Sequence, residues 1–126
     1  MAAKQRNRGL NAPKDLDEAG RDLWSSAQHQ LRDQGAFLNT DASLLAQFVR
    51  SVRTAAIARE QLSEEGITST TRDGRPTAHP CVKIAREAES DARAAAADLL
   101  LTPASRRRAG VGEPRSIEDE LSTLIA

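Results

Sequence analysis

Apolar residues recur along the chain at helical spacing in three long blocks. The first opens with Asp15 and Glu18 three residues on, a capping-box spacing just after Pro13. Leu16, Ala19, Leu23, Ala27 and Leu31 then fall on one stripe with Trp24 beside it, and Gly35 marks a stop. A second block begins near Asn39 to Asp41 and carries Leu44, Leu45, Phe48, Val52, Ala55, Ala56 and Leu62 before Gly66. About 25 residues at 1.5 Å each predict a helix of roughly 37 Å, longer than average and suited to an elongated subunit. In the third block Cys81, Ala85, Ala88, Ala92, Ala95 and Leu99 are spaced 4, 3, 4, 3 and 4, a 3.5-residue repeat. Alanine at most of these positions makes a narrow seam that buries too little area to stand alone at about 25 cal/mol per Å². This helix must therefore pack on helix two or on a neighbouring subunit.

Between the second and third blocks the pattern changes. Ile67 to Thr71 are β-branched or small, and Asp73-Gly74 is a strong short hairpin signal. Pro76 cannot donate to a ladder, so the return strand belongs at an edge. His79-Pro80 then reads as a helix start, with proline where its missing N–H costs nothing. The expected fold is mainly α: long antiparallel helices two and three with a small β-hairpin between them. Leu99 to Leu101 end the third helix, and Thr102-Pro103 opens a short helix bearing Arg106, Arg107 and Arg108. Gly110 to Pro114 reads as a linker. Beyond it Ile117, Leu121, Leu124 and Ile125 form an apolar stripe in a segment too short to be a stable isolated helix, which is expected to order on a partner. The organisation expected is a basic flexible arm over 1–14, a helical domain for oligomerisation and recognition over 15–109, and a linker with an acidic amphipathic tail over 110–126.

Composition sharpens the expectation of self-association. Leu, Ile, Val and Phe together number only 24 of 126 residues, against 22 Ala. Zero net charge argues against plain disorder, but so thin a core gains by being shared among copies. A single cysteine excludes an internal disulfide, and two histidines offer no structural zinc set. No apolar run approaches the roughly 20 residues of a membrane span, and the N-terminus lacks a signal core, so a soluble intracellular protein without a membrane partner is expected. The neutral total conceals segregation. Met1 to Leu10 and Thr102 to Gly110 each carry +3, whereas Val111 to Ala126 and the remaining body each carry −3.

No catalytic constellation or cofactor-binding pattern is legible. Cys81 lies on the apolar seam, His79 suits a cap or turn, Glu64-Glu65 suits a solvated helix end, and no glycine loop matches a phosphate-binding pattern. The arginines say more. Arg106, Arg107 and Arg108 can complement a helix C-terminus or contact phosphates. Lys4, Arg6 and Arg8 form either a solvated tail or a second phosphate-binding element. Arg50 and Arg53, with Arg59, can add a basic stripe on helix two or be ordinary surface residues.

The order of these features, from a Trp-bearing helix and the Gly35 to Leu38 turn through His79-Pro80 to the Leu101-Thr102-Pro103-Ala104-Ser105-Arg106 stretch, resembles the small terminase subunits of tailed bacteriophages. The resemblance runs from about Leu16 to Arg108. Leu100 stands where that pattern usually has Gly, which implies a less sharply broken helix end. The resemblance further implies a non-catalytic adaptor without a cofactor, acting in the host cytoplasm. Such a subunit assembles as a homo-oligomeric ring, binds double-stranded viral DNA at the packaging site, and presents it to the large terminase subunit, which carries the ATPase and nuclease. The DNA-binding candidates are then Lys4, Arg6, Arg8, Arg50, Arg53, Arg106, Arg107 and Arg108. Ile117, Leu121, Leu124 and Ile125 are the candidates for the large subunit. A helical transcriptional regulator and a structural scaffold without DNA contact are the competing classes, although no short helix-turn-helix pair is evident.

Overall fold

A computed structural model of the chain describes residues 10–34 and 41–110. Its elements in chain order are α1 (Glu18–Asp33), α2 (Ala42–Glu65), β1 (Thr68–Thr70), β2 (Pro76–Ala78), α3 (Pro80–Asp98) and α4 (Pro103–Ala109).

α1 is capped by Asp17 rather than Asp15. The Asp17 carboxylate accepts the Gly20 N–H at 2.8 Å, and Glu18 becomes the first helical residue. The buried stripe is correspondingly rotated from the expected one. Gly20, Trp24, Ala27, Gln28 and Leu31 face inward, Ala19 is exposed and Leu23 is half-buried. Trp24 supplies the largest apolar area on α1, so burying the indole sets the phase of the helix. Gly20 makes room for the turn, because a Cβ there would lie 2.9 Å from Asp17 Oδ1 and 3.2 Å from Leu16 Cβ.

α2 spans 24 residues, and its buried line drifts along its length. Leu45, Ala46 and Val49 join Leu16, Trp24, Ala27, Leu31 and Leu99 in one cluster, while Ala58 and Leu62 join Cys81 and Ala85 in another. Ala56, expected on the stripe, is exposed. The order of contacts makes α2 and α3 antiparallel: Glu65 meets His79, Gln61 meets Cys81, Arg59 meets Glu89, and Leu45 and Val49 share their cluster with Leu99. Cys81, Ala85, Ala88, Ala95 and Leu99 are all buried and Ala92 is half-buried. The 3.5-residue seam therefore closes on the chain's own α2, the intrachain one of its two possible destinations.

The hairpin pairs Thr68 with Ala78, Ser69 with Thr77 and Thr70 with Pro76. Its connection is a three-residue one. The Gly74 N–H donates to Thr71 O at 2.9 Å, Thr71 N–H donates to Arg75 O at 2.9 Å, and Gly74 sits at φ +80°, the left-handed position such a loop reserves for glycine. Residues 70–78 are exposed, so the ribbon stands out from the helices.

The end of α3 is broken sharply, contrary to the expectation for Leu100. Leu100 takes the left-handed conformation at φ 60°. Leu101 N–H donates to Ala96 O at 2.8 Å and Leu100 N–H to Ala97 O at 3.1 Å, the paired bonds of a Schellman cap. A left-handed non-glycine residue costs about 1–2 kcal/mol, offset here because the break returns Leu99 and Leu101 to the cluster around Trp24. Leu100→Gly is accordingly expected to match or exceed the native melting temperature, and Leu100→Ile to lower stability by about 1 kcal/mol or more. Thermal unfolding of both variants checks the order, and the reverse order would show that packing of the Leu100 side chain outweighs its backbone strain.

Candidate nucleic-acid interface

Two of the predicted cations are committed within the fold. Arg50 grips Asp15 through Nε and Nη2, both at 2.9 Å, and Arg53 grips Asp17 at 2.7–3.1 Å. The hydrogen bonds from Arg50 and Arg53 hold both carboxyls below the ordinary carboxylate range, and both guanidinium groups are pushed up in return. These pairs bolt the start of α1 to α2. Arg59 likewise ties α2 to α3 through Glu89, at 2.8 and 3.1 Å. A phosphate approaching any of the three would have to compete with a carboxylate already in place.

Arg106, Arg107 and Arg108 are placed differently. Thr102 caps α4, its Oγ1 accepting the Ser105 N–H at 3.2 Å, and Pro103 occupies the first turn. Ser105 returns a hydroxyl hydrogen bond to Thr102 O at 2.9 Å and is buried. This locked first turn sets the three arginines in the last turn, before Gly110. Arg106 is half-buried and its Nη1 lies 3.5 Å from Leu100 O, while Arg107 and Arg108 are exposed. None of the three has a carboxylate partner among the described residues.

The hairpin adds two cations that sequence reasoning passed over. Arg72 and Arg75 flank Asp73 at the exposed tip of the ribbon. The signal was present in the same Asp73-Gly74 pair that announced the turn, because residues beside a hairpin turn are carried to its tip. The tip lies at one end of α3 and α4 at the other, with 19 helical residues, or about 28 Å, between them. Lys4, Arg6, Arg8 and the stripe of Ile117, Leu121, Leu124 and Ile125 lie outside the described residues.

His79 and Cys81 are used structurally. His79 Nδ1 accepts the Cys81 N–H at 3.0 Å, capping α3, so the ring proton sits on Nε2, which donates to Glu65 Oε2 at 2.6 Å. That bond holds Glu65 below the usual carboxylate range. Buried Cys81 directs its Sγ toward Gln61 Oε1 at 3.4 Å. Among the described residues no cluster of three or more His, Cys, Asp or Glu could hold a metal, and no helix is long and apolar enough to cross a membrane.

The family model described as phage terminase, small subunit, matches residues 20–116, most of the chain. The chain belongs to that family. Membership places it among the proteins of phage packaging, and the matched span runs from α1 through α4. Neither the curated proteins nor the solved structures compared with the chain gave a match.

Proposed function

We propose that the chain is the non-catalytic recognition subunit of a packaging motor in the host cytoplasm. In this role it assembles as a ring, binds double-stranded viral DNA through phosphate contacts, and recruits or stimulates the large terminase subunit. The observation that carries the DNA-binding part is the arginine triplet, three successive arginines without acid partners among the described residues, on a helix whose start is fixed by Thr102 and Pro103. Arg72 and Arg75 supply a second cationic spot, and the arm bearing Lys4, Arg6 and Arg8 a third. Weak contact by each subunit becomes useful avidity when several act together. Sequence preference then rests on DNA shape and bending rather than on a reading helix. The acidic segment over 111–126, with Ile117, Leu121, Leu124 and Ile125 at helical spacing, is the element that docks on the large subunit.

Native mass with and without duplex DNA tests the proposal. A multi-subunit assembly that binds duplex and releases it as salt rises is expected. Truncation after Gly112 should leave both properties intact while removing stimulation of the large subunit's ATPase. A DNA-bound dimer would instead indicate a regulator, and an assembly indifferent to DNA a scaffold.

A further inference from the structure

Helices α2 and α3 leave two flanks, one on each side of the line along which they touch. At 100° per residue, Thr54 and Ile57 on α2 and Ile84, Glu87 and Asp91 on α3 fall on one side of that line. Phe48 and Val52 on α2, with Arg93 and Ala96 on α3, fall on the other, and Ala92 completes a shallow apolar hollow between them. The first flank is a surface of knobs: Ile57 is 52% and Ile84 44% exposed. Among the described residues the exposed large apolar side chains are these two and Ile67 beside the hairpin, and Phe48 and Val52 are only half-covered.

We infer that the Ile57–Ile84 flank of one copy seats in the Phe48–Val52 hollow of the next. Shape and charge point the same way. Isoleucine knobs match a hollow floored by Ala92 and Ala96, where small side chains admit close approach. Arg50 lines the same flank but is engaged by Asp15, so Glu87 and Asp91 leave its rim negative: Asp91 has no partner among the described residues, and Glu87 is reached there only by Lys83 at 3.8 Å. The hollow flank is positive at its edge, because Glu89 is already engaged by Arg59 and leaves Arg93 in excess. Two different surfaces on opposite flanks make a heterologous contact, which closes into a ring when the rotation between copies permits. The inference rests on the ring reading and specifies the surface that builds it, in place of the alanine seam, which is spent inside the protomer.

The test is the native mass of the full chain and of five variants at low salt, with helical circular dichroism confirming that each folds. Ile57→Asp/Ile84→Asp alters only exposed side chains and should weaken association at least tenfold. Asp91→Arg and Arg93→Asp should each weaken assembly, and Asp91→Arg/Arg93→Asp should restore it. Residues two apart on a helix do not face each other, so that rescue can arise only between copies. Assembly of the isoleucine double variant at native strength, or a charge-swapped variant no better than its single parents, would overturn the inference while leaving the ring reading standing. If Val52→Asp disrupts assembly and the isoleucine variant does not, the hollow takes another segment, such as the 111–126 tail, and the inference again falls. A native chain that stays monomeric would overturn the ring reading itself.

Discussion

Trp24→Ala is expected to abolish most of the folded population at moderate temperature. Trp24 is 3% exposed and sits in the larger cluster with Leu16, Ala27, Leu31, Leu45, Val49 and Leu99, so it joins all three long helices or their ends. Its Nε1–H also donates to Leu10 O at 3.0 Å, tying the segment before α1 onto the core. Truncating a buried tryptophan costs about 3–5 kcal/mol through lost transfer energy and the cavity left behind. Domains of this size have roughly 5–15 kcal/mol in total, and a core divided into two small clusters belongs near the lower bound. At about 4–8 °C per kcal/mol, the melting temperature should fall by on the order of 15–30 °C. Trp24→Phe keeps a large ring but loses the hydrogen bond, and should cost far less. Calorimetry or circular dichroism melting checks both. A loss below about 1 kcal/mol for the alanine variant would mean that α1 is not part of the cooperative unit.

The parts of the fold legible in the sequence are those determined by neighbours in the chain. The 4-3-4-3-4 spacing from Cys81 to Leu99 marked a buried line without saying what would cover it, and α2 does. The Asp73-Gly74 pair located the hairpin, and His79-Pro80 and Thr102-Pro103 located two helix starts, because capping and turn chemistry act over three or four residues. What escaped depends on residues far apart. Asp15 looked like a cap but is drawn off by Arg50, 35 positions away, and Asp17 takes its place. That pairing and the separate one between Arg53 and Asp17 commit both arginines to carboxylates, a fact that no local pattern contains. Leu100 follows the same logic. Its left-handed turn is a cost accepted for burying Leu99 beside Leu45 and Val49, which stand 50 or more residues earlier. Of the candidate site, the triplet on α4 was visible as a run of like charge, whereas Arg72 and Arg75 were hidden in a body whose total is −3.

Replacing Arg106, Arg107 and Arg108 together by Ala is expected to cause the largest loss of DNA affinity of any change that leaves the protein folded. Each phosphate contact removed should flatten the log–log salt slope by about 0.9, so three per engaged subunit, repeated around an assembly, amount to orders of magnitude at low salt. Folding should suffer little. Last-turn cations contribute about 0.3–1 kcal/mol each through the helix dipole, and Arg107 and Arg108 are exposed. Arg50→Ala and Arg53→Ala are the informative controls. They break the clamps on Asp15 and Asp17, so their effect should appear in thermal stability, while the salt slope for DNA stays near that of the native chain. Binding measured by anisotropy across a series of salt concentrations, at a temperature where every variant is folded, separates the two behaviours. If the triple variant keeps the native affinity and slope, the three arginines serve only to complement the end of α4. Contact with DNA would then have to pass to Arg72 and Arg75 at the hairpin tip or to the arm carrying Lys4, Arg6 and Arg8.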